Sequence, residues 1–267
     1  MTTRRVVAKK RRGEPIVCLT AYDCVMARLL DEAGIDVVLV GDSVASVVYG
    51  QTHTLGIGVC EMAMHVRAVA AGLRRALLVA DMPFLSYQVS VESAVENAGR
   101  LLKAGAEAVK LEGAGPVLPM VERLVQLGMP VMGHIGLTPQ SVHKLGGYKL
   151  QGRTAADRVK LLGEARDLER AGCFAVVLEK IPAEAAAEIT AALAIPTIGI
   201  GAGPGCDGQV LVLNDMLGLS DSPPYKFVRQ YAQLWNAARD AVLAYAQDVR
   251  SGQFPAEKHS FHVDEDH

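Results

Sequence analysis

Along most of its length this chain alternates short apolar runs with longer stretches of helical character. The runs are continuous rather than alternating with polar residues, which is typical of parallel strands that are covered on both faces. We predict eight strands, at residues 16–21, 37–41, 76–81, 108–111, 131–134, 175–178, 197–200 and 210–213.

The stretches between the runs have the boundary residues of helices. Several end at a glycine, and Ser90 is a good N-terminal cap. The predicted helices are residues 24–33, 61–73, 90–103, 116–127, 154–171, 182–193 and 226–249. Repetition of strand and helix predicts βαβ units with right-handed crossovers.

Eight such strands in about 250 residues close most naturally into a (β/α)8 barrel. We predict one TIM-barrel domain over residues 1–267, with a short basic N-terminal arm and a C-terminal helix plus tail. The main alternative is an open doubly wound sheet, but its usual phosphate-binding fingerprint is absent after the first strand. The interval from Ile200 to Val210 is too short for an ordinary crossover helix. Either this connection is a turn or 3-10 segment, or residues 207–217 are themselves helical.

Composition and charge narrow the possible functions. Half of the residues are hydrophobic and 21% are charged, as in a globular protein. A net charge of -2 predicts neither nucleic acid nor an anionic membrane surface as partner. No apolar run approaches the ~18 residues of a membrane-spanning helix.

The five cysteines have no metal-ligand spacing, which indicates reduced thiols in a cytoplasmic protein. The basic segment 1–13 lacks the apolar core of a secretory signal. We predict that it forms a short surface helix or arm, with a transit peptide as the alternative.

The C-terminal ends of the strands are where barrels of this kind carry their active sites. Asp42, Asp81 and Glu112 follow three consecutive predicted strands and would hold several negative charges close together. Because buried like charges repel, a divalent cation would relieve this arrangement. All-oxygen ligands favour Mg2+, with Mn2+ or Co2+ as alternatives. Each carboxylate could instead be a helix cap or a loop residue satisfied locally.

Two other strand ends carry polar side chains of interest. Lys110 and Glu112 are two residues apart, so both side chains point the same way on a regular strand. If they point inward, Lys110 can neutralise an anionic substrate beside the cation; the alternative is a salt bridge to a neighbouring carboxylate. His134 is more typical of a structural or substrate-binding histidine than of a metal ligand. The glycine-rich loop 199–205 is a weak phosphate signal and indicates close backbone approach or a tight turn.

Eight segments of the sequence together resemble the ketopantoate hydroxymethyltransferase family. They are TAYD at 20–23, VGDS at 40–43, ADMPFLSY at 80–87, VKLEG at 109–113, GHIGLTPQ at 133–140, LGGYKLQGR at 145–153, IPTIGIGAG at 195–203 and CDGQVLV at 206–212. The resemblance spans residues 14–262 in family order, and the differences are conservative, such as Met82 where leucine is usual.

The resemblance implies a TIM barrel of the phosphoenolpyruvate/pyruvate-binding type. It implies transfer of a hydroxymethyl group from 5,10-methylenetetrahydrofolate to 3-methyl-2-oxobutanoate through a Mg2+-stabilised enolate, giving 2-dehydropantoate in the first committed step of pantothenate synthesis. The implied partners are a small 2-oxo acid and a reduced folate. Family members are typically cytoplasmic homo-oligomers, often decamers.

The resemblance also implies residue roles. Asp42 and Asp81 would lie closest to Mg2+ and beside the substrate, and Glu112 would reach the cation directly or through water. A second group would serve the substrate: Ser43 and Lys110 would hold its carboxylate, Glu179 would accept the C3 proton, and His134 would bind substrate or order the water around the cation. No motif marks the folate site, for which loops 144–153 and 199–207 are candidates.

Two other functions stay open on the sequence. One is another Mg2+ barrel acting on 2-oxo acids, such as a carbon–carbon lyase of the isocitrate lyase or phosphoenolpyruvate mutase kind. Those enzymes typically carry a K-x-C-G-H-like catalytic loop, which this sequence lacks. The other is a non-catalytic metabolite-binding barrel, which would not need Glu179 free beside the metal.

Overall fold

Eight parallel strands form a closed barrel in a computed structural model that describes residues 1–262. Each strand pairs with the next in sequence, and the last pairs with the first. The strands are β1 (Ile16–Thr20), β2 (Val37–Val40), β3 (Leu77–Asp81), β4 (Ala108–Glu112), β5 (Val131–Gly136), β6 (Ala175–Glu179), β7 (Thr197–Ile200) and β8 (Gly208–Leu211). The predicted TIM barrel is confirmed.

Helices connect most of the strands. They are α1 (Thr3–Arg12), α2 (Cys24–Glu32), α3 (Val44–Val47), α4 (Val59–Gly72), α5 (Val91–Lys103), α6 (Leu118–Gln126), α7 (Val142–Leu145), α8 (Ala155–Arg170), α9 (Ala183–Ala192), α10 (Leu213–Met216) and α11 (Leu234–Ser251). Short 3-10 helices occur at Thr54–Gly56, Gly115–Val117, Pro139–Ser141 and Glu257–His259.

Helix boundaries follow the signals in the sequence. Asp23 caps α2, because its carboxylate accepts the Met26 N–H at 2.8 Å. Ser90 caps α5 as predicted, accepting the Ser93 N–H at 3.1 Å. Gly34, just beyond α2, has φ 81°, a left-handed conformation that glycine adopts at low cost.

The N-terminal segment closes one end of the barrel. Val6 in α1 is fully buried in a cluster with the first residues of several strands, among them Ile16 and Val37. Lys9 forms an ion pair of 2.6 Å with Asp36, the residue before β2. The segment is thus a short helix, as predicted, and one apolar side chain anchors it to the core.

The connection between β7 and β8 is a loop without a helix, residues 201–207, so the first of the two alternatives is correct. Strand β8 begins at Gly208, two residues earlier than predicted. Gly203 and Gly205 let this loop pack closely on α9. A Cβ at Gly203 would lie 2.5 Å from the Ala183 Cβ, and one at Gly205 would lie 2.8 Å from the Ala187 Cβ.

The chain separates into two compact units, Met1–Leu213 and a second that begins at Asn214. In the second unit α11 begins at Leu234, later than the predicted residue 226. Just before α11, backbone amides donate to partners outside that helix: the Tyr231 N–H donates to the Met216 carbonyl at 2.8 Å. A single domain over the whole chain stays a prediction. Among residues 1–262, no helix combines the length and the apolar character needed to cross a membrane.

Candidate active site

Two aspartates lie side by side at the C-terminal end of the barrel. Asp42 follows β2 and Asp81 ends β3, and they are only 5% and 2% exposed. The Asp42 backbone N–H donates to Asp81 Oδ2 at 3.0 Å. The backbone after β2 thereby fixes the Asp81 carboxylate and brings both acidic groups to one point.

A line of charged contacts extends from this pair across the barrel mouth. The side chains of Lys110 and Glu112 both point from β4 into the barrel, as their spacing predicts. Lys110 Nζ lies 3.1 Å from Asp81 Oδ1 and 3.2 Å from His134 Nδ1. His134 Nδ1 lies 3.4 Å from Glu112 Oε1, and its Nε2 lies 3.3 Å from Glu179 Oε2. Strands β3 to β6 thus contribute to one network.

Burial dominates the electrostatics of the carboxylates. Burial first, and then the charges of Glu112 and Asp81, raise the pKa of Asp42 to about 8. Burial likewise raises the pKa of Asp81, although Lys110 opposes this shift. The cluster therefore holds more negative charge than its surroundings stabilise.

The two basic groups respond in the opposite direction. Burial opposes protonation of Lys110, but Asp81, Glu112 and Asp42 outweigh it and raise the lysine pKa. Burial and Lys110 oppose protonation of His134, yet its contacts with Glu112 and with the β6 carboxylate raise its pKa to about 9. The carboxylates around them therefore favour the protonated form of both groups.

Two carboxylate oxygens in the cluster accept no hydrogen bond from the described residues. Asp81 Oδ1 and Glu112 Oε1 are buried and have no hydrogen-bond partner within residues 1–262; their nearest cations are the Lys110 and His134 groups already described. No group of three or more His, Cys, Asp and Glu side chains in those residues is arranged so that it could hold a metal ion by itself. A partial set of carboxylate oxygens fits Mg2+, which usually keeps several water or substrate ligands.

Glu179 ends β6 and is the most accessible of the four carboxylates, with a side chain 16% exposed. Its carbonyl accepts the Leu137 N–H at 2.8 Å. A Cβ at Gly136 would lie 2.3 Å from that carbonyl oxygen, so only glycine fits there. Lys180 follows with φ 46°, an unusual conformation for lysine that turns the chain sharply after Glu179.

Ser43 lies beside the aspartates, and its hydroxyl is 2.7 Å from the Tyr22 hydroxyl. A Cβ at Gly41 would lie 2.8 Å from Ser43 Oγ and 3.7 Å from Asp81 Oδ2, so the hydroxyl and the carboxylate flank the same strand end. All seven residues singled out on the sequence therefore lie at this end of the barrel. Lys110 forms the salt bridge that was its alternative role, here with Asp81.

Sequence reasoning missed Gln140 and Tyr87, which are buried beneath the carboxylates. The Gln140 side chain donates to Asp42 Oδ2 at 3.2 Å, and the Tyr87 hydroxyl contacts Gln140 Oε1 at 3.0 Å. Each is the last residue of a segment that carries the family resemblance. Their place in these segments was the sequence signal that could have identified them.

Comparison with known proteins gives consistent results over nearly the whole chain. The family model described as ketopantoate hydroxymethyltransferase matches residues 1–257. Proteins named 3-methyl-2-oxobutanoate hydroxymethyltransferase are 56% identical in Syntrophotalea carbinolica, covering 94% of this chain and 95% of that protein, and 52% identical in Prosthecochloris aestuarii, covering 98% and 96%.

Solved structures with the same fold are much more distant in sequence. A phosphonopyruvate hydrolase in complex with oxalate and Mg2+ is 13% identical, with a TM-score of 0.63 and coverage of 97% of this chain and 93% of that one. A 2,3-dimethylmalate lyase of the PEP mutase/isocitrate lyase superfamily is 18% identical, with a TM-score of 0.62 and coverage of 98% and 92%. These similarities show that the barrel fold is shared.

Proposed function

The chain belongs to the ketopantoate hydroxymethyltransferase family, and we propose that its one-carbon donor is 5,10-methylenetetrahydrofolate and its product 2-dehydropantoate. Family membership makes it a hydroxymethyltransferase that acts on 3-methyl-2-oxobutanoate. The observation that carries the proposed mechanism is the position of the carboxylates at the barrel mouth. An aspartate pair lies at the ends of β2 and β3, and a separate carboxylate, Glu179, lies at the end of β6.

Asp42 and Asp81 are the proposed Mg2+ ligands, and Glu112 is proposed to bind directly or through water. The excess negative charge and the unbonded oxygens of the cluster support this assignment. Phosphonopyruvate hydrolase binds oxalate together with Mg2+, and a 2-oxo acid presents a carboxylate next to a ketone oxygen in a comparable way. When bound, Mg2+ would act as a Lewis acid toward the ketone and make the C3 hydrogen more acidic. Mn2+ or Co2+ could substitute.

Lys110 and Ser43 are the proposed contacts for the substrate carboxylate. Lys110 stays protonated in the buried network, so it offers a fixed positive charge. A substrate carboxylate would share this charge with Asp81, while the Ser43 hydroxyl, adjacent to the same strand end, could donate a hydrogen bond.

Glu179 is the proposed base. Its carboxylate would take the C3 proton, and the electron pair of that C–H bond would form the new bond to the methylene carbon of the folate as the bond from that carbon to one folate nitrogen breaks. Water would then replace the second folate nitrogen on the same carbon and supply the product hydroxyl. Each released nitrogen keeps the electron pair of its broken bond and gains a proton, which gives tetrahydrofolate. His134, 3.3 Å from Glu179 Oε2, is proposed to hold the carboxylate in place and to contact substrate or the water around the cation.

Folate is proposed to lie against loops 144–153 and 199–207, near the same mouth. A cytoplasmic location is proposed because all five cysteines are free. We also propose a homo-oligomer, a decamer as in the family. The α11 residues Val242, Leu243 and Tyr245 are each more than half exposed, which favours burial against a second copy. Mass determination in solution tests this assembly.

The deciding experiment combines turnover with C3 proton exchange. The wild-type enzyme with Mg2+ should convert 3-methyl-2-oxobutanoate and methylenetetrahydrofolate to 2-dehydropantoate, and in D2O it should exchange the C3 hydrogen. Glu179→Gln should bind the 2-oxo acid within a few fold of wild type and lose exchange by at least ~100-fold. Failure of wild-type turnover would overturn the function, and normal exchange in the variant would overturn the role of Glu179.

A further inference from the structure

Gln140 is placed unusually for a loop glutamine. It lies in the 3-10 helix Pro139–Ser141 after β5, yet it is only 6% exposed, whereas glutamine is mostly an exposed residue. Its side chain runs beneath the barrel mouth toward the ends of β2 and β3. A buried amide needs a hydrogen-bond partner for each polar group, and those partners are all at the site.

The Gln140 amide is fully hydrogen-bonded. Its Nε2 donates to Asp42 Oδ2 at 3.2 Å and to the Met82 carbonyl at 3.0 Å. Its Oε1 faces the Tyr87 hydroxyl at 3.0 Å and Gln88 Nε2 at 3.4 Å. Two acceptors on one side and two donor groups on the other fix the orientation, because a flipped amide would place oxygen against a carboxylate.

The Gln140 backbone reaches a second carboxylate. Its N–H donates to Glu112 Oε2 at 2.9 Å. Tyr87 reinforces this contact from the opposite side, since its hydroxyl accepts the Glu112 N–H at 3.1 Å. One residue therefore ties together the ends of β2, β3 and β4 from a loop that follows β5.

The three acidic side chains share one pattern of hydrogen bonding. Each has one oxygen held by an N–H donor: Asp42 Oδ2 by the Gln140 amide, Asp81 Oδ2 by the Asp42 backbone, and Glu112 Oε2 by the Gln140 backbone. Within residues 1–262 the second oxygens of Asp81 and Glu112 accept no such N–H bond, and they face the basic groups of Lys110 at 3.1 Å and His134 at 3.4 Å. Gln140 supplies two of these three donors, and so fixes which oxygen of Asp42 and which oxygen of Glu112 is engaged.

We propose that Gln140 is a positioning residue that orients the carboxylates of Asp42 and Glu112 to receive the divalent cation. The inference rests on the proposed function, whose cation site it deepens. A neutral amide suits this task, because it holds a carboxylate without competing for the cation as a lysine or arginine would. Outer hydrogen bonds of this kind typically contribute ~10–100-fold to metal affinity.

Substitution of the side chain separates the two contacts of Gln140, that of its amide with Asp42 and that of its backbone N–H with Glu112. Gln140→Met keeps the length and the backbone N–H to Glu112 but removes the donor to Asp42. Calorimetry of Mg2+ binding to the metal-free full-length chain should show at least about a fivefold loss of affinity relative to wild type. Gln88→Met is the matched control, since Gln88 contacts Gln140 and, within residues 1–262, hydrogen-bonds to no carboxylate. It should stay within about twofold of wild type.

Each outcome either supports or overturns the proposed role of Gln140. A loss below fivefold in a folded Gln140→Met, or an equal loss in Gln88→Met, overturns the proposal. If Gln140→Met does not fold, Gln140→Asn replaces it, because the shorter amide cannot reach Asp42 and the same loss is expected. At saturating Mg2+, kcat of the variant should return to within about threefold of wild type, and a persistent larger loss would contradict a role limited to the cation. If wild type binds no Mg2+, the proposed cation site itself fails, and this inference falls with it.

Discussion

Three buried carboxylates face only two basic groups within residues 1–262, Lys110 and His134, and this imbalance is energetically unfavourable. Water is largely excluded from Asp42 and Asp81, so their charges cost free energy that Lys110 only partly offsets. The raised pKa of Asp42 is the direct expression of this cost. Residues kept in such a state usually serve chemistry rather than stability.

Removing Asp81 tests the cation site at the level of one residue. We expect Asp81→Ala to weaken Mg2+ binding by at least ~100-fold, because a ligand is lost and Lys110, without its partner, would repel the cation. Asp167→Ala on α8, where the side chain is partly exposed and pairs with Arg170, is the control and should bind Mg2+ like wild type. Equal affinity of the Asp81 variant in calorimetry would contradict the assignment.

Which site residues could be found on the sequence depended on where they lie. Asp81, Glu112 and Glu179 end strands, so the strand pattern alone brought them to the mouth. Gln140 lies in a 3-10 helix after β5 and Tyr87 in the loop after β3, and their partners depend on how these connections cross the mouth. Nothing in residue spacing encodes that path.

The same distinction holds for the secondary-structure elements. Continuous apolar runs predicted β2 to β7 closely, because strands covered on both faces admit little else. The start of α11 was predicted too early because residues 226–233 have a helical composition, but amides such as that of Tyr231 bond to an earlier turn. Helix propensity cannot anticipate a competing hydrogen-bond acceptor elsewhere in the chain.

Helix α1 offers a test of an element that the sequence suggested was peripheral. Val6 is fully buried, so Val6→Ala should lower the free energy of unfolding by about 2 kcal/mol. Val159→Ala makes the same change on α8 at a side chain 73% exposed, and should change it by less than about 0.5 kcal/mol. Denaturant unfolding measures both. Equal effects would mean that α1 does not close the barrel.

At the scale of the whole molecule, the site and the stability of the fold are linked. The barrel draws its acidic groups from strands far apart in the chain, so they meet only in the folded state. Their repulsion is therefore a cost of folding, and a bound cation would return part of it. Proton binding relieves the same repulsion, and this makes the linkage depend on pH.

The sign of that dependence follows from Asp42, whose pKa is about 8 when folded and ~3.9 when unfolded. Its contribution to stability is complete below pH ~4 and is lost as pH rises through about 8. Mg2+ requires the deprotonated form, so it competes with the proton in the same window. His134, with a pKa of about 9, remains mostly protonated throughout it.

We therefore expect Mg2+ to bind roughly twentyfold more weakly at pH 6.5 than at pH 8.5, because a single proton with a pKa near 8 must leave. The rise in Tm at a fixed Mg2+ concentration should be larger at pH 8.5, since stabilisation follows the ratio of ligand concentration to Kd. Thermal unfolding with and without Mg2+ at both pH values measures this. Asp42→Asn should bind Mg2+ weakly and with little pH dependence; an unchanged pH dependence in that variant would assign the proton to another group.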